Sequence, residues 1–326
     1  MNYEPGTKVA TRDAYGETLA ELGREMPELV VLDADLSSST KTAAFAKQFP
    51  ERFFNMGIAE ANMIGHAAGL AASGKVPFAS TFAVFATGRV YDQLRTSVCY
   101  PALGVKVAAT HAGLTVGEDG ASHQANEDIA LARALPNMTV VVPADANETR
   151  DAVRAAAKRR GPFYLRLGRP AVPVLAIAQA MAGGEAGAPF ELGRLRVLRE
   201  GTDVGIMACG YMVHEALKAA ELLAAGGVSA GVIDVHTIKP LDKEGVTAAA
   251  RRYGCLVTAE EHSVIGGLGS AVAETVGESY PVPVIRVGVA DRFGESGTPD
   301  ALLKAYGLTA EHIRDAAGRA MAARKG

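Results

Sequence analysis

Short runs of apolar and β-branched residues recur along the chain with helical patterns of about ten to fifteen residues between them, and no other feature narrows the possible folds so far. In the first half the spacing predicts strands at Leu29–Leu32, Val76–Ser80, Gly104–Thr110, Met138–Val142 and Phe163–Leu167. Each run is too apolar to leave one face in water, as expected of parallel strands covered on both sides. Helices fit between them: one capped by Thr7 or Thr11 and running through Leu22, one opened by Glu60 and reaching Ala72, one at Glu127–Leu135 behind Asn126, and one at Ala146–Arg159 behind Asp145. From Ala171 to Gly193 the pattern dissolves into Ala, Gly and Pro, with neither strand nor helix periodicity, which reads as a connection between domains. Alternation then resumes, with strands expected at Val204–Ala208, Ala230–Val235, Cys255–Ala259 and Val284–Val287, and helices at Val213–Ala225, Lys243–Arg252, Gly267–Gly277 and Ala310–Ala323. The expected fold is α/β: two open, mostly parallel-sheet domains, residues 1–172 and 192–326, joined by a linker over 173–191.

Length and charge agree with that division and remove several functions. A chain of 326 residues accommodates two domains of ~150 residues. Its 33 Lys and Arg against 36 Asp and Glu give a net charge of −3, and no dense basic block precedes Arg324-Lys325. A nucleic-acid or anionic-membrane surface therefore has no electrostatic basis. The polar start from Met1 to Lys8 is not of signal-peptide type, and no run of ~18 apolar residues occurs, so no membrane association and a cytosolic location are expected. Cys99, Cys209 and Cys255 lie far apart without CxxC spacing, so they read as buried thiols rather than a disulfide framework or a zinc site. Gly266-Gly-Leu-Gly269 imitates a dinucleotide loop, but the third glycine of GxGxxG falls on Val272, and Glu260-Glu261-His262 is expected to intervene after the strand. No GxxxxGK[ST] phosphate loop is present.

Three features could carry chemistry. Gly117-Glu-Asp-Gly-Ala-Ser-His123 follows Thr110-His111 at the end of an apolar strand, where α/β proteins place their ligands. His111, Asp119 and His123 would offer donors and acceptors to substrate hydroxyls, with imidazoles able to titrate near neutral pH. Metal ligation is disfavoured because the spacing is not helical and no third and fourth ligand stands nearby; either histidine could equally just tie the loop down. Glu60 opens a helix that is otherwise small and apolar, a place the helix dipole alone would favour for an acid. Phe82 and Phe85, at i and i+3 after a strand, have the spacing of a core pair.

Gly57-Ile-Ala-Glu60, Ser80-Thr-Phe82-Ala-Val-Phe85 and Gly117-Glu-Asp-Gly-x-x-His123, in that order and spacing, resemble the transketolase family of thiamine diphosphate enzymes, and the resemblance runs from about Ala10 to Ala320. It covers the last two of that family's three domains, the pyrimidine-binding and C-terminal ones. The resemblance implies that Glu60 hydrogen-bonds the cofactor's aminopyrimidine, that Phe82 and Phe85 stack against it, and that Asp35 and Leu36 lie at its edge. Arg12, Ser39, Arg169 and His123 would contact the substrate phosphate or line its channel. His111 and Asp119 would bind the donor's hydroxyls, and His111 and His123 would join Glu60 as catalytic residues. Many relatives carry a third aromatic where this chain has Gly88, so Tyr91 or another group must complete the pocket. The implied reaction moves a two-carbon ketol unit from a ketose phosphate to an aldose phosphate, with the cofactor as electron sink.

The family's diphosphate half needs Gly-Asp-Gly and a later Asn to hold Mg²⁺ with hard oxygen donors, and no Gly-Asp-Gly occurs here. The resemblance therefore implies a split enzyme: this chain with an N-terminal partner subunit that carries the diphosphate-binding domain and the Mg²⁺ ligands, in an α2β2 assembly. Three alternatives accompany it. Ile233-Asp-Val-His-Thr-Ile-Lys-Pro240 and Glu260–Gly269 are shared with the beta subunits of 2-oxoacid dehydrogenases, and Ser122-His123-Gln124 with 1-deoxyxylulose-5-phosphate synthase. Outside enzymes, the alternative is a non-catalytic regulatory binding module.

Overall fold

The computed structural model describes residues 2–176 and 190–324. Its strands, in chain order, are β1 (Lys8–Ala10), β2 (Leu29–Asp33), β3 (Phe53–Asn55), β4 (Val76–Phe82), β5 (Lys106–Thr110), β6 (Thr139–Val141), β7 (Phe163–Arg166), β8 (Ala171–Pro173), β9 (Arg196–Arg199), β10 (Val204–Ala208), β11 (Ala230–Asp234), β12 (Thr237–Lys239), β13 (Leu256–Ser263) and β14 (Val284–Val289). Seven of them form one sheet in the order β12-β6-β7-β5-β4-β2-β3, and five form a second in the order β14-β13-β10-β11-β9. Every pairing in the two sheets is parallel except those of β12 with β6 and β9 with β11. Strands β2, β5 and β10 are buried from end to end; even the charged ends Asp33 of β2 and Lys106 of β5 are buried, Lys106 Nζ donating to the Arg159 and Gly161 carbonyls at 2.6 and 2.8 Å.

The two halves share more than a linker. Strand β12 follows β11 of the second sheet in the chain yet adds an antiparallel edge to the first. One apolar cluster joins Val140 and Tyr164 of the first sheet to Met207, Ile233 and Leu256 of the second. Arg196 of β9 pairs with Glu148 on the helix Ala146–Lys158, 3.1 Å apart, with both side chains buried.

Several local expectations need correction. Thr11 is the first residue of the helix Thr11–Glu25 rather than its cap; its Oγ1 instead accepts from the Gly168 N–H at 2.9 Å. Residues 171–173 are strand β8, paired antiparallel to β1, so regular structure enters the segment read as featureless. Residues 177–189, most of the expected linker, lie outside the described residues. The helix behind Asn126 runs Asp128–Ala134, with Glu127 at its cap position. Glu260, Glu261 and His262 do not follow their strand but belong to β13. Other expectations hold. Asp145 caps its helix by accepting from Glu148 N at 2.8 Å, and the three cysteines are free and buried. Among the described residues no helix is long and apolar enough to cross a membrane.

The glycine loop 266–269 is accounted for without a ligand. Glu260 accepts from the N–H groups of Leu268 and Gly269, at 2.7 and 2.8 Å, and so fills the anion-attracting start of the helix Leu268–Ser279 from within. Gly267 is needed there because a Cβ would stand 2.0 Å from a Glu260 oxygen.

Candidate active site

Three neighbouring strands deliver the site. Strands β2, β4 and β5 lie side by side, with Asp33 in register with Ser80 and Phe82 with Thr110, so the segments leaving their carboxyl ends gather at one edge. Asp35 and Leu36 come from β2, Phe82 and Phe85 from β4, and His111 from β5. Asp33 fixes the first of these turns, accepting from Leu36 N at 2.6 Å and from the hydroxyls of Thr40 and Thr42 at 2.7 and 2.9 Å. Asp35 itself adopts a left-handed φ of 65° and accepts from the Asn55 side chain at 2.9 Å.

Four rings form a box. Phe82 lies 6.1 Å from Phe85, nearly parallel to it, and 3.9 Å from the His111 ring. His123 stands edge-on to both phenylalanines, at 6.2 and 5.4 Å. Beside the box, Glu60 begins the helix Glu60–Ala72 with only 4% of its surface exposed. The Arg89 guanidinium reaches both Glu60 oxygens, at 3.1 and 3.2 Å, and its carbon lies 4.0 Å from the centre of the Phe85 ring. The group lying on Phe85 is thus an arginine; Tyr91, one of the candidates for that place, packs against the apolar core.

His111 is locked in one form. Arg12 Nη1 stands 3.0 Å from its Nε2, and a guanidinium has no acceptor, so Nε2 carries the lone pair and Nδ1–H donates to Thr110 Oγ1 at 2.9 Å. Burial, reinforced by the charges of Arg12 and Arg169, pushes the His111 pKa down to about 3, so the ring is neutral at physiological pH. Arg12 also donates to the Ser39 carbonyl at 3.2 Å; Ser39 enters the site through its backbone. Arg12 Nε is buried and has no partner among the described residues.

The loop after His111 carries the remaining predicted residues. Gly113, Gly117 and Gly120 all have positive φ, which returns the chain tightly on itself. Arg169 donates to the Val116 carbonyl and lies 3.6 and 3.7 Å from the carboxylates of Glu118 and Asp119. His123 Nδ1 and Ser122 Oγ are 2.9 Å apart. Phe82, Phe85, His111, His123 and Arg12 are linked by direct contacts, and Glu60 joins them through Arg89; Asp119 pairs with Arg169, while Asp35 and Leu36 lie on the segment that leaves β2.

Residues 7–174 match the family described as transketolase, pyrimidine binding domain, and residues 193–313 match transketolase, C-terminal domain. The chain belongs to the transketolase family. Over 94% of its length it is 50% identical to a putative transketolase C-terminal section of Methanocaldococcus jannaschii, of which it covers 95%. It is 47% identical to a 6-deoxy-6-sulfo-D-fructose transketolase subunit of a Clostridium species, covering 94% of this chain and 92% of that one. A solved split gene transketolase, an inactive beta4 tetramer, superposes with a TM-score of 0.88 at 57% identity, over 97% of this chain and 99% of the other. A solved transketolase of Pichia stipitis superposes with a TM-score of 0.83 at 26% identity, over 99% of this chain and 48% of that one.

Three residues that sequence reasoning missed shape the site: Arg89, Gln124 and Glu261. Arg89 directly follows the glycine that stands where an aromatic was expected, and that substitution was the available signal. Gln124 adjoins His123 in the loop, and its side chain donates to the carbonyls of Leu114, Gly117 and Glu295. Glu261 is a buried acid on β13 that accepts from Thr115 N at 2.5 Å.

Proposed function

We propose that this chain is the C-terminal subunit of a split thiamine diphosphate-dependent transketolase, moving a two-carbon ketol unit between sugar phosphates together with a diphosphate-binding partner subunit. The observation that carries the reading is the environment of Glu60: a buried carboxylate beside Phe85, whose face and whose neighbouring acid are both covered, among the described residues, by one half-exposed arginine, Arg89. That arrangement fits an aminopyrimidine, a flat heterocycle whose ring nitrogen can share a proton with the Glu60 carboxyl and whose faces can stack on Phe85. When bound, the cofactor supplies a nucleophilic carbon and an electron sink for the ketol unit. Asp35 and Leu36 border its edge, and the partner subunit would hold Mg²⁺ and the diphosphate. Arg89 withdraws from Glu60 as the pocket fills, leaving the carboxylate free to hold a proton at the pyrimidine nitrogen.

On the substrate side, Arg12 and Arg169 form the cationic end. An arginine fork suits a terminal phosphate, and the unpartnered Arg12 Nε supplies a spare donor. Neutral His111, Asp119 and His123 then meet the donor hydroxyls. One relative is named for apulose-4-phosphate and another for a sulfonated fructose, so the donor panel should include both a phosphate and a sulfonate. The test is to mix the purified chain with its diphosphate-domain partner and measure particle size and ketol transfer. Activity only in the mixture, with thiamine diphosphate and Mg²⁺ required, supports the reading. Full activity from this chain alone, or a lipoyl-transferring complex in place of ketol transfer, overturns it.

A further inference from the structure

The loop that presents Asp119 and His123 belongs to the first domain and closes through its own backbone bonds, yet the second domain holds it at two further points. From beneath, Glu261 of β13 accepts from Thr115 N, and a Cβ on Gly113 would stand 2.4 Å from the same carboxylate oxygen. From the side, the segment 294–299 closes against it. Gln124 donates to the Glu295 carbonyl at 3.0 Å, shorter than its distances of 3.2 and 3.3 Å to the Leu114 and Gly117 carbonyls within its own loop. A Cβ on Gly294 would lie 1.7 Å from Gln124 Oε1, and one on Gly120 would lie 2.5 Å from Ser296 Oγ. Leu114 itself packs in the core of the second domain, with Val289 and Leu302.

The backbone bonds within the loop fix its turns, but they are local, and its placement against the second domain is set by the contacts with Glu261 and Glu295. We propose that Gln124 is a positioning residue through which the C-terminal domain sets the distance of Asp119 and His123 from the aromatic box, and that this contact determines donor specificity. His123 meets Phe85 edge-on at 5.4 Å, so a shift of the loop changes the depth of the substrate cleft without touching Glu60. The inference rests on the transketolase reading, but only in part.

The test uses the assembled two-subunit enzyme and two variants approaching the contact from opposite sides. Gln124→Met keeps the volume and removes the donors; Gly294→Ala pushes on Gln124 from the second domain. Four quantities are measured: donor KM, kcat, the cofactor dissociation constant, and hydrogen exchange over residues 113–124. The expected result for Gln124→Met is a donor KM raised at least tenfold, kcat lowered less than threefold, a cofactor constant within twofold, and faster exchange confined to the loop. Gly294→Ala should move the same KM in the same direction. Donor KM within twofold of the parent in both variants overturns the proposal, as does a parallel loss of cofactor and donor binding. If the parent mixture shows no ketol transfer, the functional reading fails while the exchange arm still decides whether Gln124 fixes the loop: unchanged exchange sinks it.

Discussion

His111 ties the stability of this chain to pH in a direction that can be calculated. An ordinary histidine titrates near 6.5, whereas burial and the neighbouring arginines push His111 down to about 3. Between those values the unfolded chain holds the proton and the folded chain does not, so stability falls as pH drops through the window and is fully retained above 6.5. At 1.36 kcal/mol for each pH unit below 6.5, lowering the pH to 5 costs about 2 kcal/mol from this residue. His214 and His236 are also depressed by burial and act in the same direction, so the total acid sensitivity of the parent does not isolate His111. The comparison with His111→Gln does, because glutamine keeps a donor and an acceptor but does not titrate. Urea unfolding at pH 7 and pH 5, at one fixed protein concentration, should show the parent losing about 2 kcal/mol more than the variant. Parallel losses, or a His111 imidazolium seen by NMR at pH 5, would refute the argument that Arg12 and burial keep the ring neutral.

Glu60→Gln should abolish ketol transfer in the assembled enzyme while leaving particle size unchanged, because an amide cannot share a proton with the pyrimidine as a carboxylate does; near-parent turnover at saturating cofactor contradicts the assignment. Arg12→Ala and Arg169→Ala should each raise KM for phosphorylated donors by one to two orders of magnitude, as expected for lost charge-assisted contacts of ~1.5–3 kcal/mol, and spare an unphosphorylated donor. Arg89→Ala should tighten cofactor binding by up to about fivefold, since a half-exposed ion pair of ~0.2–1 kcal/mol no longer competes for Glu60; a calorimetric titration showing weaker binding argues that Arg89 helps to hold the cofactor instead. Arg166→Met should destabilise the chain by about 3–5 kcal/mol in thermal or urea unfolding, because it leaves Asp128, fully buried and 2.8 Å from Arg166 Nε, without its counter-ion.

The strands were legible where burial on both faces makes the sequence continuously apolar, as in β10 and in Leu29–Leu32 of β2. They were not legible in β1, β3, β8, β9 and β12, which are only three or four residues long. Such pieces are defined by their neighbours, not by a period. Strand β12 is the clearest case: Thr237–Lys239 is extended because β6 pairs with it, and nothing local says that it adds to the other domain's sheet. The acid pair Glu260-Glu261 looked like the end of a strand because charged residues rarely lie in a buried one. Here each carboxylate is consumed by backbone donors, Leu268 and Gly269 for one and Thr115 for the other.

The same reasoning separates the visible part of the site from the hidden part. Glu60, Phe82, Phe85, His111 and His123 could be singled out because a polar or aromatic residue in each case stands at a strand end or helix start that a motif marks. Gln124 could not, and Arg89 had only the unexpected glycine before it as a signal, because their roles depend on distance and not on spacing. Arg89 is written as one more surface arginine after a glycine, and becomes part of the pocket only because Phe85 offers a flat face 4.0 Å away and Glu60 a buried charge. Gln124 is a loop glutamine until the chain returns 171 residues later to put the Glu295 carbonyl within 3.0 Å of its amide. Motifs mark the groups expected at a site; the residues that set where those groups stand are chosen by packing, within the first domain for Arg89 and between the two domains for Gln124, and only the folded chain brings them into view.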